Sequence, residues 1–168
     1  MKSTKRLAVL SMFTVIALTI FAVENMIPVP VPVPGIKLGL ANIVTLIVLR
    51  NYRAADAFAV LFARILLSAL FSGQMMTLFY SAMGGLFCFL VMCAANHFLD
   101  GHFLPLTSIL GALAHNAGQL TAAYLIVRST GILAYLPFLT LSSVITGLFT
   151  GLCAHYAQRY LLPHIKKM

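Results

Sequence analysis

Acidic side chains are nearly absent from this chain: Glu24, Asp56 and Asp100 are the whole supply in 168 residues. Charged residues of both signs reach only 8%, against about a quarter in an ordinary soluble domain. So little charge excludes a water-soluble globular domain. Paired thiols are lacking too. Cys88, Cys93 and Cys153 all fall inside apolar runs with no C-x-x-C spacing, so they read as small core hydrophobes, not as a disulfide or metal framework. No G-x-x-x-x-G-K-[ST] phosphate loop occurs, which excludes a P-loop ATP site. The start MKSTKR precedes an apolar run, but no small-x-small cleavage site follows before the prolines, so the run is read as a first spanning helix and not as a removable leader.

What is present is apolar: 61% of residues are hydrophobic and the mean hydropathy is +1.01. The net charge of +8 would suit nucleic acid, yet the cations are strung out between apolar runs and act as topology markers; no nucleic-acid partner is expected. A spanning helix needs roughly 20 apolar residues. Six runs qualify, at about 7–26, 36–50, 54–72, 75–96, 106–127 and 132–161, giving an all-α, polytopic membrane protein with a single transmembrane domain over 1–168. Orientation follows from the cations. With the N-terminus inside, Lys2, Lys5, Arg6, Arg50, Arg53, Arg159, Lys166 and Lys167 are all cytoplasmic, against Lys37 and Arg128 outside. Both termini are then cytoplasmic, and the loop at 27–36 faces out.

The second run is short, since about 15 residues rise only about 22 Å. The loop before it is therefore expected to dip into the outer half of the bilayer, where irregular backbone survives only if protein buries it or it lines a wet cavity. That loop belongs to the stretch PVPVPVPGIKLGLAN. Pro28, Pro30, Pro32 and Pro34 favour extended polyproline geometry, long enough at about 25 Å to cover a small bundle, and Gly35 frees the turn into the helix. A rigid lid and a plain connector both fit.

Polar residues inside apolar spans are costly and face the bundle interior or a cavity. Glu24 falls near the outer surface, Lys37 at the outer end of the second run with Asn42 about 7–8 Å deeper, Arg64 near mid-membrane and Gln74 at the outer turn. In AHNAGQL, His115 and Gln119 share a face at i, i+4, and Asn116 stands at i, i+3 from Gln119. These eight residues are the candidate substrate-binding set, an outward-facing pocket under the proline loop. Interhelical hydrogen bonding without a ligand is the competing reading. Asp56 suits the positive end of the third helix. His97, Asp100 and His102 have metal-like spacing, but D-G marks a turn and no metal site is expected. Gly84-Gly85, Gly111 and the Gly147/Gly151 pair read as close helix packing.

Four stretches together, PVPGIKLGLANIVTL, ARILLSALFSG, FYSAMGGLF and SILGALAHNAGQL, resemble the bacterial Gx transporter family, whose members carry the description heptaprenyl diphosphate synthase component I. The resemblance covers roughly residues 7 to 160. That family is similar to the substrate-binding S components of energy-coupling factor (ECF) importers, which implies six helices, an outward pocket covered by the first loop, and location in the bacterial inner (plasma) membrane. It also implies as partners a small vitamin-like, isoprenoid, quinone or flavin-related ligand, a transmembrane T subunit and two ATPase subunits. The A-x-x-x-A contact motif of many S components is missing from the first helix, where Ala8, Ala17 and Ala22 stand apart. Prenyl diphosphate synthases hold Mg²⁺ through clustered aspartates; with three isolated acids the chain is not expected to be an enzyme, nor to hold a cofactor. Two alternatives stay open, a membrane partner in flavin- or quinone-linked extracellular electron transfer and a non-catalytic component associated with heptaprenyl diphosphate synthase. In the former, Phe79, Tyr80 and Tyr124 would be pocket anchors.

Overall fold

A bilayer offers no water to backbone N–H and C=O groups, so each spanning segment has to satisfy its own, and this chain is helical throughout most of its length. The computed structural model describes residues 3–27, 37–73, 75–99 and 103–161. The proline loop with Pro28, Pro30, Pro32, Pro34 and Gly35 lies outside the described residues, as do Gln74, Asp100 and His102.

The fold is all-α, with six α-helices among the described residues: α1 (Ser3–Glu24), α2 (Asn42–Asn51), α3 (Ala54–Ser72), α4 (Met75–Phe98), α5 (Leu104–Val127) and α6 (Leu136–Tyr156). A 3₁₀ turn at Thr130–Tyr135 leads into α6 and a π turn at Ala157–Leu161 ends it. Four stretches, Thr4–Glu24, Ala54–Ser72, Met75–Phe98 and Thr130–Tyr160, are long and apolar enough to cross a membrane. They turn large apolar side chains outward, among them Met12, Leu70, Phe71, Leu141 and Phe149. A surface of that kind suits lipid and not water; this is a membrane protein.

The helix expected at 36–50 begins instead at Asn42. Gly39 is the reason: its φ of +81° is left-handed, which ends any helix, and the chain restarts through bonds from the amides of Asn42 and Ile43 to the carbonyls of Gly39 and Leu40. At ten residues α2 is about 15 Å long. It is an interior helix that touches each of the other five, with Val44, Leu46 and Val48 buried. The run expected at 132–161 is also divided. Pro137 sits in the first turn of α6, where its missing N–H costs nothing, and the 3₁₀ winding carries the chain up to it.

α5 is as long as α4 but carries Thr107, Ser108, His115, Asn116 and Gln119, all buried. It tolerates them because α4 and α6 cover it on two sides. Glycines make the approach close: a Cβ on Gly118 would stand 2.6 Å from the Met83 carbonyl oxygen, and one on Gly151 2.5 Å from the Pro105 Cα. One apolar core, including Leu46, Met92 and Leu104, fills the end of the bundle where α1 begins and α6 finishes. A second, including Tyr80, Leu120 and Leu139, fills the opposite end. At the first end Asp56 accepts from the Arg53 amide at 3.1 Å, closing the start of α3, and forms an ion pair with Arg6 of α1.

Candidate functional site

Between the two apolar cores lies a polar layer to which α1, α2, α3 and α5 each contribute. Glu24 closes α1 with its side chain only 3% exposed, and its carboxylate accepts the Gly39 N–H. Asn42 opens α2. Arg64, halfway along α3 and 4% exposed, donates from Nη2 to Asn42 Oδ1 at 3.4 Å. Gln119 on α5 accepts the Lys37 amide through Oε1 at 3.1 Å. Eight residues from the end of α5, Gln119 lies about 12 Å below it, so the segment 37–41 enters the bundle and hands its amides to protein acceptors at that depth.

Gly84 on α4 supplies the room for the α5 residues. A Cβ there would stand 2.8 Å from both Gln119 Cγ and His115 Cε1, so only glycine lets the imidazole and the carboxamide seat together. Gly39 does the same from above, where a Cβ would meet His115 Cδ2 at 2.7 Å and Asn42 Nδ2 at 2.9 Å. Lys37 brings its ammonium to 3.3 Å from the Phe21 ring centroid, a cation–π contact at the rim.

Chemically the layer has an excess of donors. Asn42 Nδ2, Arg64 Nε and Gln119 Nε2 are buried with no hydrogen-bond partner among the described residues, and so is His115 Nδ1, an imidazole nitrogen that can donate or accept. Buried polar groups are nearly always paired, because an unmet one costs about 1–3 kcal/mol and more when charged. Three unmet donors in one layer, beside Lys37 and a single carboxylate, match an incoming group rich in acceptor oxygens.

Residues 13–157 match the family model described as heptaprenyl diphosphate synthase component I. The chain belongs to that family. No curated protein and no solved structure matches it. The span matched by the component I family takes in the whole polar layer and leaves Arg6 just outside.

Within the chain the candidate residues do not form one group. Glu24, Lys37, Asn42, Arg64, His115 and Gln119 come together; Gln74 lies outside the described residues. Asn116 goes elsewhere. Its Nδ2 donates to the Leu139 carbonyl at 3.1 Å and to Ser143 Oγ at 2.7 Å, both on α6. Successive residues on a helix are about 100° apart, so with α4 on one side of α5 and α6 on the other, His115 and its neighbour Asn116 face different helices. Sequence reasoning missed Ser143 and the Ser108–Thr150 bond of 2.8 Å on the same seam. A signal existed: Ser143 precedes Gly147 and Gly151 at four-residue intervals and extends their small-residue stripe. Gly39 and Arg6 were missed as well, since their roles depend on partners far along the chain.

Proposed function

We propose that the protein is a substrate-capturing membrane subunit of the S-component type, serving an ECF-type importer, and that it binds its ligand in the polar layer beneath segment 37–41. The observation that carries this reading is the set of unpartnered buried donors, Asn42 Nδ2, Arg64 Nε and Gln119 Nε2. The ligand is a small molecule with carbonyl or anionic oxygens, a class that includes vitamin-like, flavin-related and quinone-related compounds. Lys37 at the rim draws it in, Arg64 takes its charge or strongest acceptor, and the two carboxamides orient it.

In this reading the chain crosses the plasma (inner) membrane six times. Segment 37–41 with α2 makes the second crossing, and both termini are cytoplasmic by the Lys and Arg distribution. The role is non-catalytic: Glu24 is occupied by the Gly39 amide and Asp56 by Arg6, which leaves no cluster of carboxylates among the described residues for diphosphate-bound Mg²⁺. Energy for transport comes from a T subunit and ATPases that dock on it. The family description favours one other reading, a non-catalytic partner of a heptaprenyl diphosphate synthase.

The test is to purify the chain in detergent and identify by mass spectrometry what is released on denaturation. An oxygen-rich small molecule should appear in stoichiometric amount. Arg64→Met should lower its retention about 10- to 100-fold, the worth of a hydrogen bond to a charged group, while Asp56→Asn, at the far end, should not. Equal retention by both variants, or co-purification with a soluble prenyl synthase in place of ATPase and T subunits, would overturn the proposal.

A further inference from the structure

Away from the polar layer, α5, the 3₁₀ turn and α6 enclose a cleft of about 560 Å³, within the range of small-molecule sites. Leu120, Leu133, Leu136 and Leu139 give it an apolar wall, and no charged side chain among the described residues lines it. Tyr124, Leu133 and Leu136 are themselves 44%, 47% and 49% exposed on the apolar flank of the bundle, so the cleft is reached from the lipid side.

Tyr124 and Thr130 bring the cleft hydroxyls that can donate or accept, and its other polar groups are acceptors. The Leu139 carbonyl can only accept, which fixes Asn116 Nδ2 against it and turns Oδ1 the other way. Asn116 is 3% exposed, and that Oδ1 is buried with no partner among the described residues. Thr121 and Thr140 spend their hydroxyl protons on the Ala117 and Leu136 carbonyls, each at 2.8 Å, and so present lone pairs. Ser143 Oγ is committed to Asn116 and to its own helix.

We infer that this cleft binds a neutral, lipid-soluble hydroxyl compound, an alcohol or phenol, whose O–H donates to Asn116 Oδ1 while its apolar body lies against Leu120 and Leu139. An ammonium finds no counter-charge there, and an anion finds no cation among the described lining residues. The polar layer has the opposite bias, an excess of donors, so the two sites take different ligands and this inference does not rest on the transport reading.

The chain has no tryptophan, so Leu136→Trp places a single tryptophan, excited selectively above the tyrosine band, at the mouth of the cleft. With that full-length protein in detergent, para-bromophenol is titrated as a heavy-atom quencher beside para-bromoanisole, its methyl ether, which cannot donate. The phenol should quench saturably, with half-saturation about tenfold below that of the ether, one buried hydrogen bond's worth. Asn116→Leu should raise the phenol to the ether's value. Ala117→Phe, an exposed position lining the cleft, should abolish saturable quenching by both and does not depend on Asn116 variants folding. Arg64→Met should leave phenol binding unchanged. Equal affinities for phenol and ether, purely linear quenching, wild-type binding in Ala117→Phe, or loss of binding in Arg64→Met would each overturn the inference.

Discussion

Gly39 is the residue on which the polar layer turns. Its left-handed backbone is matched by two remote acceptors: Glu24 takes its own N–H, and Gln119 takes that of Lys37 two residues earlier. A side chain there costs twice over, once in backbone strain of about 1–2 kcal/mol and again in displacing His115 and Asn42. Gly73 is a natural control, since it is also left-handed, at φ +63°, and a Cβ added to it would meet nothing within 4 Å. Thermal unfolding in detergent should therefore show Gly39→Ala losing at least twice as much stability as Gly73→Ala. Equal losses would mean that His115 yields freely. Read from sequence, the turning freedom falls to Gly35, four residues earlier in GIKLG. Local sequence does not separate the two glycines, because what holds the turn lies far along the chain, Glu24 being 15 positions from Gly39 and Gln119 82 positions from Lys37.

At the scale of elements, α5 governs the arrangement. Among the described residues it buries more polar side chains than any other helix, and it is held between α4 and α6 by contacts in which backbone meets backbone. A Cβ on Gly147 would stand 2.6 Å from Ile109 Cα, and one on Gly151 2.5 Å from Pro105 Cα. Neither neighbour is a flexible side chain that can swing aside. Gly151→Leu should push α6 off α5, break the Ser108–Thr150 bond and lower stability by about 2 kcal/mol or more, as overpacking does. Gly131→Ala in the 3₁₀ turn meets its nearest neighbour, Ser129 Oγ, at 3.5 Å and should be close to neutral. The glycine stripe on α6 was readable as a packing face. Its register against Pro105 and Ile109 was not, because several registers of two small-residue stripes are sterically alike until Asn116 and Ser143 select one.

For the whole molecule, the helix directions bring the start of α1 and the finish of α6 to the same end, where Arg6 meets Asp56. The connections α3–α4 and α5–α6 lie at the opposite end. The proposed orientation then makes a definite expectation for labelling with an impermeant maleimide. Met75→Cys, 80% exposed at the head of α4, should react in intact cells. Arg53→Cys, at the other end, should react only after permeabilisation, with the unsubstituted chain giving the background. The reverse pattern would invert the topology, turning the polar layer toward the cytoplasm and removing the case for capture from outside.

The chain by itself determined its solvent and its secondary structure. A mean hydropathy of +1.01 with three acids leaves lipid as the only comfortable surroundings, and lipid leaves the backbone little choice but helix. The shortness of the second run was legible from rise per residue, but most of the loop expected to dip, 27–36, lies outside the described residues, and it is 37–41, expected as helix, that enters the bundle. Which polar side chains meet was decided only by tertiary structure. Hydrogen bonds reach about 3 Å and depend on direction, so a rotation of about 100° between His115 and Asn116 sends one to the donor-rich layer and the other to the largely apolar cleft beside α6. Composition fixes how many donors and acceptors the chain carries; helix packing determines which are buried and which are left without partners.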